Sequence, residues 1–362
     1  MGKFAFIIHP LGGKADVARK YKLARYLPER WVDQLVKLIP PQVVSHITGV
    51  TGADGATAEG WFVGCPLTPR QFLELPEEYV LAKVSRAARI AQDTGARIVG
   101  LGAYTSVVGD AGVTVAKNVE IAVTTGNTYT VATAMEGTLQ AGALMGIAPE
   151  QARAAVVGAA GSIGRVCSHL MAETAASLTL VGRDRQKLEA VREEIGRDTV
   201  TVSTDPLQAL PQADLVITVT SAVDTVIEPE YLKPGAVVCD VARPRDVSRA
   251  VAERRPDVLV IEGGVVQVPG PVDFGMDFGF PPGTAYACMA ETMLLALEER
   301  YECFSLGREL EVEKVREIRR LAQKHGFRLA GFRSFERAVT PEQIERTREA
   351  AAQARRAGTK AG

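Results

Sequence analysis

The chain has 362 residues, is 46% apolar and 23% charged, and carries a formal net charge of −1. That length suits two domains, and the composition is that of a globular chain rather than a disordered one. The near-zero net charge gives no bulk attraction to nucleic acid or to an anionic membrane, leaving only local basic patches open, and no apolar run approaches the roughly 20 residues that span a bilayer.

Five cysteines (65, 167, 239, 288 and 303) form no Cys-x-x-Cys pair and are too scattered for a disulfide framework. Four histidines show no metal-binding spacing, so no metal is expected. The N-terminal "MGKFAFIIHP" has an apolar run too short for a signal segment and reads as a strand. A cytoplasmic location is therefore expected, with no transmembrane segment and no nucleic acid among the partners.

In chain order, "GGKADVARKYKLARYL" and "PERWVDQLVKLI" read as helices after that first strand. "QVVSHITGV" and "EGWFVGCPL" are strands joined by the turn-rich "TGADGATA". "EEYVLAKVSRAARIAQDTG" has a helical apolar period and stops at Gly95. "ARIVGLGAY" and "VEIAVTTG" are strands, and "NTYTVATAMEGTLQAGALMG" is a long helix capped by Asn127 or Thr128. From residue 152 strands and helices alternate strictly, through "ARAAVVGAAG", "SLTLVGR", "DTVTVST", "ADLVITVTS", "AVVCDVA" and "DVLVIEGG". Such alternation predicts a parallel, doubly wound sheet. A helix opened by Thr284, a basic helix "EVEKVREIRRLAQKHG" and a loosely attached tail helix ending at Gly358 complete the chain.

"VVGAAGSIGRV" sets Gly158, Gly161 and Gly164 between a strand and a helix. In that context the turn predicts dinucleotide binding, with Ala160 in the turn and the Ser162 and Ile163 amides facing phosphate. A glycine turn made for packing alone is the other reading. The second strand ends in "VGRDRQ", with Arg183 and Arg185 where NAD enzymes place a carboxylate. Guanidinium groups there suit a 2′-phosphate and hence NADPH, or are solvated surface residues. Thr220 and Ser221 end the fourth strand of this half and are further cofactor candidates. So are Gly263 and Gly264 after the last one, where a side chain would crowd a nicotinamide or the chain turns tightly.

Cys288 sits in the first turn of "GTAYACMAETMLLALEER". The helix dipole lowers a thiol pKa there, which suits a nucleophile. Yet a cysteine among Tyr286, Met289, Met293 and Leu294 also reads as a core filler.

Several stretches resemble the long-chain acyl-(acyl-carrier-protein) reductases: "PPQVVSHITGVTG", "GLGAYTSVV", "NVEIAVTTGNTYT", "VVGAAGSIG", "GRDRQKLEAVREEIG", "PQADLVITVTS", "EGGVV", "AYACMAETMLLALE" and "KHGF". They occur in family order over residues 1–330. The resemblance implies NADPH-dependent reduction of a fatty acyl thioester, on acyl carrier protein or coenzyme A, to a fatty aldehyde. It makes Cys288 the nucleophile of an acyl-enzyme, followed by hydride transfer and collapse of a thiohemiacetal. Thr125, Asn127 and Ser106 become candidate oxyanion or substrate contacts, or simple capping residues. Glu291 and His325 are candidate proton-handling groups, His325 doubling as a helix-end residue. The basic helix would dock an acidic carrier or stay solvated, and an aldehyde-consuming enzyme is a further partner. The turn departs from the family in Ala160 and Ser162, and "VPGPVDFGMDFGFPPG" departs where the acyl tunnel would be shaped.

The expected fold is α/β: a doubly wound Rossmann NADPH domain preceded by an α/β substrate domain, with C-terminal helices. The substrate (acyl) domain spans 1–148, the NADPH domain 149–282, the helical segment with Cys288 283–332, and a polar, partly helical tail 333–362. Two other functions stay open at this point. A shikimate- or quinate-type NADP-dependent dehydrogenase gives Cys288 no task, and a non-catalytic NADPH-binding sensor would turn over no thioester.

Overall fold

The computed structural model describes residues 1–10, 14, 17–18, 22–222, 224–242, 245–277, 279–335 and 337–360. The helix expected over "GGKADVARKYKLARYL" lies largely outside the described residues; Lys22–Tyr26 forms one short 3-10 turn. The chain divides into two compact units.

The first unit comprises Met1–Asn127, Gln267–Glu309 and Glu317–Arg328. Its five-stranded sheet is built from β1 (Gly2–Ile8), β2 (Gln42–Thr51), β3 (Thr57–Gly64), β4 (Ile98–Gly100) and β5 (Ala122–Thr124), in the order β2-β3-β1-β4-β5. Only β2 runs antiparallel to its neighbour. The helix Glu77–Asp93 buries Val80, Val84, Ala87, Ala88 and Ala91, an apolar stripe at helical spacing, against the sheet. The helix Ala287–Leu297 packs against β1, β3 and β4. It is apolar nearly all round, and every residue from Met289 to Leu297 is buried, as such a composition requires. The segment "VPGPVDFGMDFGFPPG" is stitched to β2, with Thr48 and Asp273 exchanging both backbone hydrogen bonds at 2.9 Å.

The second unit comprises Thr128–Val266, Leu310–Arg316 and Leu329–Gly362. Six parallel strands follow in turn: β6 (Arg153–Val157), β7 (Ser177–Val181), β8 (Val200–Ser203), β9 (Leu215–Thr218), β10 (Val237–Asp240) and β11 (Leu259–Glu262). Their order is β11-β10-β9-β6-β7-β8, the doubly wound order, which reverses direction beside β6. The strands are almost wholly apolar because both faces of a parallel sheet are covered.

The tail helix departs from expectation. It runs from Pro341 to Lys360, through Gly358. It is also docked: Ile344 and Ala351 are buried, and Arg355 Nε donates to the Pro234 carbonyl at 3.2 Å. Two buried apolar residues seven positions apart were too sparse a stripe to announce that contact.

Candidate active site

Cys288 is the second residue of the helix Ala287–Leu297, and the N-cap, Tyr286, makes no side-chain cap hydrogen bond to the helix start. The first-turn amides and the positive end of the dipole favour a thiolate, or an oxyanion beside it. The helix is not opened by Thr284 as the sequence suggests, because Thr284–Tyr286 is a short strand. Gly283 takes φ +75°, and its carbonyl accepts the Val268 amide at 2.8 Å, which draws the next residues into extended conformation. The thiol therefore stands nearer the helix end than the sequence suggests.

No cysteine is in a disulfide, and their environments differ sharply. Cys65, Cys167 and Cys239 are fully buried, while Cys288 is half-buried and Cys303 exposed. Burial pushes the Cys65 thiol up to about 12 and that of Cys167 upward as well, so both are inert fillers. The Val123 amide donates to Cys303 Sγ at 3.5 Å, a structural contact.

Two glycines make room for Cys288. A Cβ on Gly126, whose φ is +75°, would lie 2.2 Å from the Cys288 Cα. A Cβ on Gly102 would lie 3.3 Å from its Sγ and 2.6 Å from the Phe6 ring. Next to Gly102, Ala103 is held at φ 48°, a conformation side chains rarely take.

Beneath the cysteine lies a buried polar network whose pairings have no signature in the sequence. Glu291, one helical turn after Cys288, is fully buried. Its Oε1 accepts the hydroxyls of Thr124 and Ser305, each at 2.6 Å. Ser305 in turn fixes Thr125: its carbonyl accepts the Thr125 hydroxyl at 2.6 Å and the Thr125 amide at 2.8 Å. The Gly126 turn is thereby tied to the same helix that carries Cys288.

Two of the candidate substrate contacts have their hydroxyls engaged by backbone carbonyls. Thr125 spends its hydroxyl on Ser305 and is wholly buried, so it supports the turn. Ser106 lies in the short helix Tyr104–Val107 rather than at a strand end, and its hydroxyl donates to the Ala103 carbonyl at 2.7 Å. Asn127 differs from both. It opens the helix Asn127–Leu144, is largely buried, and its side-chain amide has no hydrogen-bond partner among the described residues.

In the second unit the glycine turn follows β6 at the point where the strand order reverses. Gly158 has φ +84°, and a Cβ there would sit 2.7 Å from the Val219 carbonyl oxygen. A Cβ on Gly164 would sit 2.1 Å from the Gly158 oxygen, so this glycine lets the helix approach the strand. Gly161 is the N-cap of the helix Ser162–Thr174, with no side chain over the amides of Ser162 and Ile163. Its Cβ would meet only the Gly158 oxygen, at 3.3 Å, so the remaining space is open to a phosphate. Ala160 is half-buried in the same turn.

Arg183 and Arg185 are both exposed after β7. Arg185 approaches Glu189 at 3.6 Å, while Arg183 has no partner among the described residues. Asp184, the one carboxylate between them, caps the helix Arg185–Ile195 by accepting from the Lys187 amide. The phosphate turn and an uncompensated guanidinium therefore fit NADPH. Thr220 is occupied otherwise: its hydroxyl and amide both donate to the buried Asp246, at 2.5 and 2.9 Å, holding the loop after β9. Ser221 beside it is exposed. Gly263 is packed close to Val241 and Cys239, and Gly264 turns at φ +89°, so the fold itself requires both.

His325 ends the helix Val312–His325 and is fully buried in the first unit. Its ring nitrogens contact Asp54 Oδ1 at 3.1 Å and Glu298 Oε1 at 2.5 Å. Lys324 pairs with the same two carboxylates at 3.6 and 2.6 Å. The ligand-type atoms of Asp54, Glu298 and His325 lie within 4.8 Å of one another, and Lys324 engages both carboxylates of that group. The quartet is a clasp. Of the basic residues on this helix, Arg316 pairs with Glu173 and Glu313, whereas Arg319 and Arg320 are exposed.

A parallel sheet in this order, with an uncovered helix start behind a glycine turn at its reversal, defines an oxidoreductase of the NAD(P)-binding Rossmann class. The family described as Shikimate / quinate 5-dehydrogenase matches residues 143–261, which is this nucleotide-binding sheet alone. The long-chain acyl-[acyl-carrier-protein] reductase of Synechococcus elongatus is 32% identical over 304 residues, 80% of this chain and 87% of that protein. The chain belongs to the family of that reductase. The aminotransferase PigE of a Serratia strain is 35% identical over 358 residues, 94% of this chain, and the chain spans 41% of its length. A glutamyl-tRNA reductase of Chromohalobacter salexigens is 30% identical over 112 residues, 28% of this chain and 26% of that protein. No helix among the described residues is long and apolar enough to cross a membrane.

Proposed function

We propose that the protein reduces a long-chain fatty acyl thioester, carried by acyl carrier protein or coenzyme A, to the fatty aldehyde. The observation that carries this reading is the half-buried thiol of Cys288 at an uncapped helix start, with Gly126 and Gly102 cleared around it.

In this reading the Cys288 thiolate attacks the thioester carbonyl. A new carbon–sulfur bond forms, the bond to the pantetheine sulfur breaks, and that thiolate leaves with a proton. The first-turn amides of the helix and the Asn127 side-chain amide are the donors for the developing oxyanion. Glu291 holds the Gly126 turn against the cysteine and acts as a positioning residue. NADPH, when bound, supplies the hydride that converts the acyl group on Cys288 to aldehyde. The glycine turn at 158–164 and the arginines at 183 and 185 would hold it. An aldehyde is the kind of carbonyl that an aminotransferase consumes, so a downstream enzyme of that class is a fitting partner.

The dehydrogenase reading has one observation in its favour, the family match over residues 143–261. It leaves Cys288 and its surroundings without a task. The test is turnover of a long-chain acyl thioester with NADPH, the aldehyde being captured as a hydrazone. Wild type should form aldehyde and Cys288→Ser should form none while still binding NADPH. Equal aldehyde from both proteins would refute the proposal.

A further inference from the structure

The helix Glu29–Val36 and the turn before it carry apolar side chains on two faces. Val32 and Val36, four apart, point inward with Ala24 into a small core. Trp31 and Leu35 on the helix and Leu38 just after it, at i, i+4 and i+7, form a second stripe that stays exposed among the described residues. Trp31 is 55% exposed, Leu35 46% and Leu38 72%, and just before them Leu23 is 79% and Tyr26 85% exposed. Scattered single apolar residues are ordinary on a surface, but five within sixteen positions are not.

The exposed charge in this stretch is mainly positive. Lys22, Arg25 and Arg30 are exposed and have no ion-pair partner among the described residues. Of the two carboxylates in the stretch, Asp33 is turned inward, where Arg70 pairs with it at 3.1 Å. Only Glu29 faces out.

We infer that residues 22–38 form a membrane-contact surface for a bilayer containing anionic lipid. Leucines would enter the acyl boundary, Tyr26 and Trp31 would sit at headgroup level, and the three cations would meet lipid phosphates. A folded acidic protein would have to offer a cleft shaped to this convex stripe, whereas a bilayer takes up any convex apolar stripe. The inference is independent of the reaction proposed above.

The test is co-sedimentation of the full chain with phosphatidylcholine vesicles, with and without phosphatidylglycerol. Wild type should bind the phosphatidylglycerol vesicles, and added salt should weaken that binding. Trp31→Ser with Leu35→Ser should weaken it about tenfold or more. Arg25→Glu with Arg30→Glu, a surface change that leaves the inner core alone, should remove the preference for anionic vesicles. The inference fails if wild type binds neither vesicle, or if both variants bind as wild type does. It also fails if Trp31→Ser with Leu35→Ser instead converts a dimer to a monomer or abolishes capture of acyl carrier protein, since the stripe would then belong to those partners.

Discussion

Gly126 and Cys288 compete for one space: a Cβ added to the glycine would stand 2.2 Å from the Cα of the cysteine. The close approach of these two backbones fixes where the thiol lies, and it is possible only because residue 126 has no side chain and turns at φ +75°.

Gly126→Ala is therefore expected to be severe. Forbidden backbone conformation and overpacking together should cost about 2–4 kcal/mol of stability. Thermal unfolding should register that loss, and reaction of the thiol with a maleimide should change because Cys288 has moved.

Glu291→Gln preserves shape but offers the hydroxyls of Thr124 and Ser305 a weaker, uncharged acceptor. A loss of about 1–3 kcal/mol is expected. If the carboxylate positions the Gly126 turn, kcat should fall more than the KM for NADPH changes, and Glu291→Asp should restore little. A variant with unchanged kcat and lowered stability would assign the group to folding alone.

Arg183→Ala with Arg185→Ala should raise the KM for NADPH roughly tenfold to hundredfold, the worth of one or two charge-assisted hydrogen bonds. The KM for NADH should stay within about twofold, and steady-state kinetics with both cofactors decide the matter.

The clasp at His325 predicts an acid limit on stability. Burial alone would raise the Glu298 carboxyl, but hydrogen bonds from Lys324 and His325 outweigh it and hold the group below its ordinary 4.5. A carboxyl depressed in the folded state stabilises fully above its unfolded pKa. That contribution declines as pH falls below 4.5 and is gone once pH passes below the lowered value. Melting temperatures taken across this range should drop steeply for wild type and less steeply for Glu298→Gln, which should be less stable at neutral pH.

The nucleotide-binding half was legible because its signals are local. Strand, glycine turn and helix are contiguous in "ARAAVVGAAGSIGRV", and the arginines follow the next strand directly. The ground beneath Cys288 was not, because its partners are distant in the chain. Thr124 reaches Glu291 across 167 positions, and a single threonine or serine gives no periodic signal. The bonds of Thr125 and Ser106 were hidden for a related reason. A hydroxyl near a turn has backbone acceptors within reach, and both are taken by such acceptors here. The three-residue strand before the cysteine helix was too short for alternation to reveal it.

The central claim is that Cys288 carries the acyl group. It is tested most directly by incubating the protein with a long-chain acyl thioester without NADPH and measuring its intact mass. Wild type should gain the mass of one acyl chain, retained through denaturation, released by hydroxylamine and discharged as aldehyde when NADPH is added to the native protein. Cys288→Ala should gain nothing. An acyl adduct of equal yield on Cys288→Ala, or none on a wild type that still makes aldehyde, would contradict the account.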